Sequence, residues 1–347
     1  MAIQARRTPP HGRVSSLSLH RPTPCGDFIN GNLLDSIGGT MNDILLTASF
    51  SDVKDRIQNL SKQIKDASMV HIHAPADLSG LLALSMLESA FLDTGVKYRR
   101  RFLTSHKSIP RDERARPENI QDGLLVFIAP FEDTWNLKEL PETEYIHITP
   151  LSVVVRLGAN QSERRGALDV VAQCAALAAE LIPNGQKVRL LRPFAGTGLW
   201  LRDALDTTFD PIHTSIRDHL RDEGSFRMVP LPEVPSPAPG MIPGLSERML
   251  TRLQKGWGKM DITSRSSALS ELILPTLANS ALSTPRLEEL VWHRLMIGTS
   301  DVDVMSQVHL AEKAWPSDAD KAKIHASKLA DTFLKTGHLF QSGQSTG

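Results

Sequence analysis

VHIHAPADLSGLLALSML, residues 70–87, is the stretch whose reading decides the fold. Met69–Ile72 reads as a short apolar strand and Ala74–Asp77 as a loop. A helix then runs from about Ser79 to Thr94, with Gly95 as its C-cap. Upstream, Val53, Ile57, Leu60 and Ile64 recur at helical spacing between Phe50 and Ala67. Downstream, strands are expected at Lys97–Leu103, Leu124–Ala129 and Tyr145–Thr149. LLVFIA (124–129) is short and apolar enough to be buried on both faces. A helix is expected over Arg165–Leu181 and a further strand at Val188–Leu191. Strands alternating with helices imply βαβ crossovers, so the expected class is α/β, a mostly parallel sheet flanked by helices.

Beyond Ala195 the pattern turns mainly helical as far as Arg221. PLPEVPSPAPGMIPG (230–244) is Pro-rich, extended and stiff, and reads as a domain boundary. Helical spacing fills Leu245–Leu339, with breaks at Gly256–Gly258, Pro275, Pro285, Gly298 and Pro316. Residues 1–40, rich in Pro, Ser, Gly and Arg, read as a disordered extension, and QSGQSTG (341–347) as a frayed tail. The expected division is thus 1–40 extension, 41–195 α/β domain, 196–229 helical connector, 230–244 linker, 245–340 smaller helical domain and 341–347 tail.

Lys+Arg 39 equals Asp+Glu 39 in the 347 residues, so no global field draws the chain to nucleic acid or acidic membrane. Aromatic residues at 5% argue against a stacking platform for single strands. Cys25 and Cys174 lie far apart, which excludes a zinc framework and suits a reducing compartment. With no apolar run of membrane-spanning length, a cytoplasmic protein is expected.

Residues 70–87 resemble the first motif of the DHH phosphoesterase superfamily, a strand end of the form His-x-Asp-x-Asp-Gly-x-x-Ala. In that family the carboxyl end of a parallel strand holds two divalent cations that activate water. Asp77 falls on the first aspartate, Gly80 on the glycine and Ala83 on the alanine. Pro75 stands where the histidine belongs and Ser79 where the second aspartate belongs. Sliding the register to use His73 as the histidine loses the glycine. At the family's second motif Ala129 takes the aspartate position, before Pro130-Phe131-Glu132-Asp133. At the third, Thr149-Pro150-Leu151 replaces the Asp-His-His triplet. Helix, strand–loop–helix and strand ends follow one another over Ser51–Ile182 as in the RecJ-like proteins of archaea. The same order holds in their eukaryotic relative, the cell division cycle forty-five factor.

The resemblance implies a DHH-type sheet over 41–195, degenerate in its metal ligands, and a place in DNA replication. Inactive members of the group look like scaffolds that join the GINS complex to the MCM helicase. The expectation is therefore a pseudo-enzyme without cofactor, nucleoid-associated if the cell is archaeal. The alternative is an active single-strand exonuclease or phosphodiesterase, using Mn or Mg on a rearranged site of Asp77, His73 and Asp133.

Other residues carry paired readings. Asp77 is a helix N-cap or a residual ligand. His71 and His73 share one strand face and, with His147, are ordinary strand residues or a zinc set. Lys97, Arg99, Arg100, Arg101, Lys107, Arg111, Arg114 and Arg116, interrupted by Asp112 and Glu113, form the densest basic cluster. It is a charged edge or a contact for phosphate backbones, with Lys97 and Arg99–Arg101 the candidates for single-stranded DNA. Phe194-Ala195-Gly196-Thr197-Gly198 is a turn before a helix or a fragment of a phosphate loop. Ser79 as a nucleophile has no assignable base. Trp292, Leu295, Met296, Ile297, Val304, Val308, Leu310 and Trp315 are core, or in part a partner face.

Overall fold

The computed structural model describes residues 44–340 except 106, 108, 110–112, 115, 116, 118, 119, 121, 158, 159, 203, 204, 206–209 and 279–281. The readings for 1–40 and 341–347 lie outside these residues, as do Arg111, Asp112 and Arg116.

The architecture is α/β. Strand β1 (Val70–Pro75) lies between β2 (Tyr98–Leu103) and β3 (Leu124–Ile128), and β5 (Ile146–Ile148) extends the sheet. The order is β2-β1-β3-β5 and every pairing is parallel. Val70, Ile72 and Ala74 alternate into the core, as one face of a pleated strand must. Against that face packs α2 (Leu78–Thr94), whose residues are buried from Leu78 to Phe91. A helix enclosed on every side needs no polar stripe, and before its last turn this one carries only three buried serines and a single charged residue, Glu88. Over it lie α3 (Val170–Leu181), α4 (Gln186–Leu191) and α11 (Ala319–Thr336). The amphipathic α1 (Lys54–Asp66) turns Ile57, Leu60 and Ile64 toward α3.

Gly80 sets how close α2 comes to the sheet. A Cβ there would lie 2.2 Å from the Pro75 carbonyl oxygen and 2.9 Å from its ring carbons. At the other end of the helix Gly95 has φ 76° and returns its N–H to Phe91 O at 2.8 Å, the expected left-handed cap.

Ala74 and Pro75, expected in a loop, continue β1 in register with Phe102 and Leu103. Proline is tolerated because it is the last strand residue, and Ala76 N resumes the ladder on Leu103 O at 2.7 Å. The helix expected from Arg165 starts only at Val170. Residues 165–168 belong to β7 (Ser162–Leu168), antiparallel to β6 (Leu151–Leu157) in a small sheet with β4 (Trp135–Asn136). The alternation Leu151, Val153, Val155, all buried, makes β6 a strand in need of a partner. The strand expected at Val188–Leu191 is α4. Asp93 in α2 caps it by accepting from Lys187 N (2.8 Å) and Val188 N (3.2 Å).

Helices α5 (Thr197–Leu201) and α6 (Pro211–Asp222) lead to β8 (Arg227–Val229). After the Pro-rich stretch come α7 (Glu247–Trp257), α8 (Ile262–Ile273) and α9 (Thr284–Trp292). The short strand β9 (Arg294–Met296), α10 (Val304–Lys313) and α11 complete the chain. Residues 230–244 do not separate two bodies. Leu231, Val234, Ala238 and Ile242 are buried, β8 pairs with β9 across the segment, and α11 packs on α2, α4 and β2. Its prolines stiffen a packed wall. Among the described residues no helix is long and apolar enough to cross a membrane.

Gly80→Ala is expected to lower the unfolding free energy by about 1–3 kcal/mol, the usual cost of overpacking. Gly258→Ala, where an added Cβ meets nothing within 4 Å, should leave it within about 0.5 kcal/mol. Urea unfolding of both variants checks the pair.

Candidate functional site

The positions that the DHH resemblance marks as metal ligands do gather at the carboxyl ends of β1, β3 and β5, where open parallel sheets collect ligands. Their side chains supply little chemistry. Pro75 ends β1, Ala129 follows β3, and Thr149-Pro150 runs directly into β6 at Leu151. Their backbone groups are used in the fold: Ala129 N donates to Ile148 O (2.9 Å), Gln173 Nε2 to Thr149 O (2.8 Å) and Trp135 N to Pro150 O (3.0 Å). Ser79 is buried in the first turn of α2.

Asp77, the one carboxylate among them, has both oxygens engaged. Oδ1 accepts from Gly80 N at 2.9 Å as the helix N-cap, and Oδ2 accepts from Ser105 Oγ at 2.7 Å. Burial pushes its pKa up to about 6, although these hydrogen bonds and Lys107 pull the other way. The cap reading is the one the geometry adopts. A cavity of about 460 Å³ opens beside Asp77 and Ser79, and Trp315 closes part of it by donating its indole N–H to Ala76 O at 3.0 Å.

Register places His73, Phe127 and His147 side by side on β1, β3 and β5, so a phenyl ring separates the two imidazoles. His71 turns to Asp122 O at 3.1 Å. Among the described residues no three His, Cys, Asp or Glu side chains are grouped to hold a metal ion, so neither the zinc set nor Asp77, His73 and Asp133 forms one.

The basic cluster divides by strand alternation. Lys97, Arg99 and Arg101 are exposed. Arg100, expected beside them as a DNA contact, faces the helices. It donates to Glu88 (3.0 and 3.1 Å), to Ser327 and to Asp331 (2.5 Å). A guanidinium held by two carboxylates is a structural cross-link and is removed from the candidate DNA surface. Lys107 pairs with Glu312 at 3.6 Å, and Arg114 donates to Ile109 O and Phe131 O.

Sequence reasoning missed Asp169. It caps α3, its Oδ1 accepting from Val171 N (2.6 Å) and Ala172 N (3.1 Å). Burial raises its pKa to about 6, opposed by these bonds and by Arg202. Arg202 in turn donates to Pro130 O at 2.8 Å, at the end of β3. An aspartate directly before an apolar helical run was the available signal. Gly198, in the segment weighed as a phosphate loop, has a packing role: a Cβ there would sit 2.1 Å from Asp169 Oδ1. The segment is a turn into α5. Cys174 is fully buried and its thiol pKa is raised well up, which makes it unreactive. Of the C-terminal apolar residues, Leu295, Met296, Val304 and Val308 are core and Trp292 is exposed.

No protein-family model matches this chain, and a search of curated proteins finds no match.

Asp77 and Asp169 titrate near 6 in the folded chain against an ordinary value of 3.8. Between those values the folded state holds more protons, so their contribution to stability falls as pH rises through the window. Asp169→Asn keeps the capping oxygen but does not titrate. From pH 4 to pH 7 it should gain about 2–3 kcal/mol on the parent, measured by denaturant unfolding at a series of pH values. A difference that does not vary with pH would refute the assignment.

Proposed function

We propose that this chain is a non-catalytic member of the RecJ-like group of the DHH superfamily, a scaffold that docks onto GINS and through it onto MCM in a replicative helicase assembly. One observation carries the reading. At three successive strand ends of a parallel sheet, Pro75, Ser79, Ala129 and Thr149-Pro150-Leu151 stand where that family holds its cations. A pair of dications needs several anionic or imidazole ligands to replace lost water. Here Mn or Mg would meet Asp77 with both oxygens already engaged. The backbone requirements of the motif, a glycine against the strand and a buried Ala83, are kept. A fold retained without its ligands suits binding. Ile262, Leu274 and Leu277 add exposed apolar side chains on α8 and the turn after it, the kind of surface a protein partner covers. The partner itself comes from the resemblance. The reading is a cytoplasmic protein, nucleoid-associated if the cell is archaeal.

The expected outcome is no manganese-dependent loss of end-labelled single-stranded DNA, together with co-elution of purified chain and purified GINS on size exclusion. Manganese-dependent cleavage that disappears in Asp77→Ala overturns the non-catalytic half. Separate elution from GINS overturns the partner.

A further inference from the structure

Arg294, on β9, is 1% exposed, yet the fold uses only one of its guanidinium nitrogens. Nη2 donates to Asp303 Oδ2 at 2.7 Å and to Ser306 Oγ at 2.6 Å. Nε and Nη1 are buried without a hydrogen-bond partner. They carry more than half of the guanidinium's N–H donors, and burying charged donors unmatched is costly. Asp303 is already committed elsewhere. Its Oδ1 caps α10 by accepting from Ser306 N at 3.1 Å, and its Oδ2 is shared between Nη2 and Ser306 Oγ, the latter at 2.6 Å.

Arg294 lines a cavity of about 330 Å³ between the Pro-rich stretch and α7. Leu231, Ile242 and Leu250 give the same cavity an apolar wall. Both sides are fixed by the fold: Ala238 N donates to Ser306 Oγ and Gln254 Nε2 to Val234 O, each at 2.8 Å. Met241, half-buried in the wall, rests its Sδ 3.5 Å from Arg294 Nη2 and 3.6 Å from Ser306 Oγ. A thioether is a weak acceptor on a flexible stem, so a stronger acceptor can displace it.

We infer that this cavity binds a small monocarboxylate with an apolar body. The carboxylate takes the place of Met241 Sδ and accepts from the unmatched guanidinium nitrogens, a charge-assisted pairing. The body lies against Leu231, Ile242 and Leu250. An apolar ligand would leave Nε and Nη1 unmatched. A phosphate dianion would bring a second negative charge to a guanidinium already paired with Asp303, beside Glu247 exposed in the first turn of α7. The volume lies at the lower end of small-ligand sites, about 300–1,000 Å³. The inference does not depend on the family reading.

The test is titration of the full chain with 4-methylpentanoate, its neutral amide, and an acetylated Ala-Ala-Leu peptide with a free carboxyl terminus. The readout is the Met241 methyl resonance in methionine-methyl-labelled protein, assigned by its loss in Met241→Leu. A saturable shift with the acid is expected, and the amide should bind about tenfold more weakly, equivalent to about 1.4 kcal/mol. Arg294→Lys keeps a cation for Asp303 but lacks the unmatched donors, and should weaken the acid by a similar factor. Glu247→Gln alters an exposed position only; it should tighten the acid about twofold and leave the amide and the thermal midpoint unchanged. Tighter binding of the peptide supports the site with a polypeptide carboxyl terminus as its source, and tighter binding of 4-methylpentanoate supports a free acid. Equal binding of acid and amide, a folded Arg294→Lys that binds like the parent, no gain in Glu247→Gln, or no saturation by about 20 mM overturns the inference.

Discussion

The approach of Gly80 to the Pro75 carbonyl is the constraint on which the rest depends. With only a hydrogen at that position, α2 settles against the end of β1 at a distance no side chain allows. Once there, α2 is enclosed by the sheet below and by α3, α4 and α11 above. Asp77 can cap it only because the strand, extended through Pro75, delivers the carboxylate at the first turn. Helix position, cap and core are one arrangement.

That arrangement leaves carboxylates in places where water is scarce. Asp77 and Asp169 both lie at helix N-termini near the carboxyl end of the sheet, and burial raises both toward neutrality. Neither is discharged by a clustered set of ligands. Hydrogen bonds from backbone amides and Ser105 hold Asp77, and backbone amides with the field of Arg202 hold Asp169. Charge is handled locally by donors already in the fold.

Much of this was legible in the sequence. The helical spacing of Val53, Ile57, Leu60 and Ile64, the apolar runs at 70–72 and 124–128, and Gly95 all form what their patterns indicate. Other elements depend on partners that no local pattern encodes. SERRGAL (162–168) has no alternation of its own and becomes a strand because β6 offers it a ladder. VRLL (188–191) is too short for periodicity to separate strand from helix, and Asp93 decides by capping it. The split between exposed Arg99 and Arg101 and inward Arg100 follows from strand alternation, but its sign depends on Glu88 and Asp331. The cavity beside Pro75 and Ala129 was not legible, since Phe131 and Glu142 come from connecting segments and Trp135 from the two-residue β4, which only the tertiary fold brings together.

The cross-link from Arg100 to Ser327 and Asp331 has a consequence for how the chain comes into being. It joins residues 227 and 231 positions apart, and Phe333 fills its place against Phe194 from the same terminal helix, ring centroids 4.9 Å apart. On a ribosome that emits the chain from its N-terminus, the sheet and α2 emerge long before the helix that covers them. Until then Glu88 has Arg100 as its nearest countercharge, and an apolar seat around Phe194 faces solvent. The nascent protein therefore passes through a long interval as an incomplete body with a sticky opening, closed only when α11 arrives. A premature stop within α11 would leave that opening permanent, making the short product a client for chaperones and proteases rather than a slightly smaller folded protein.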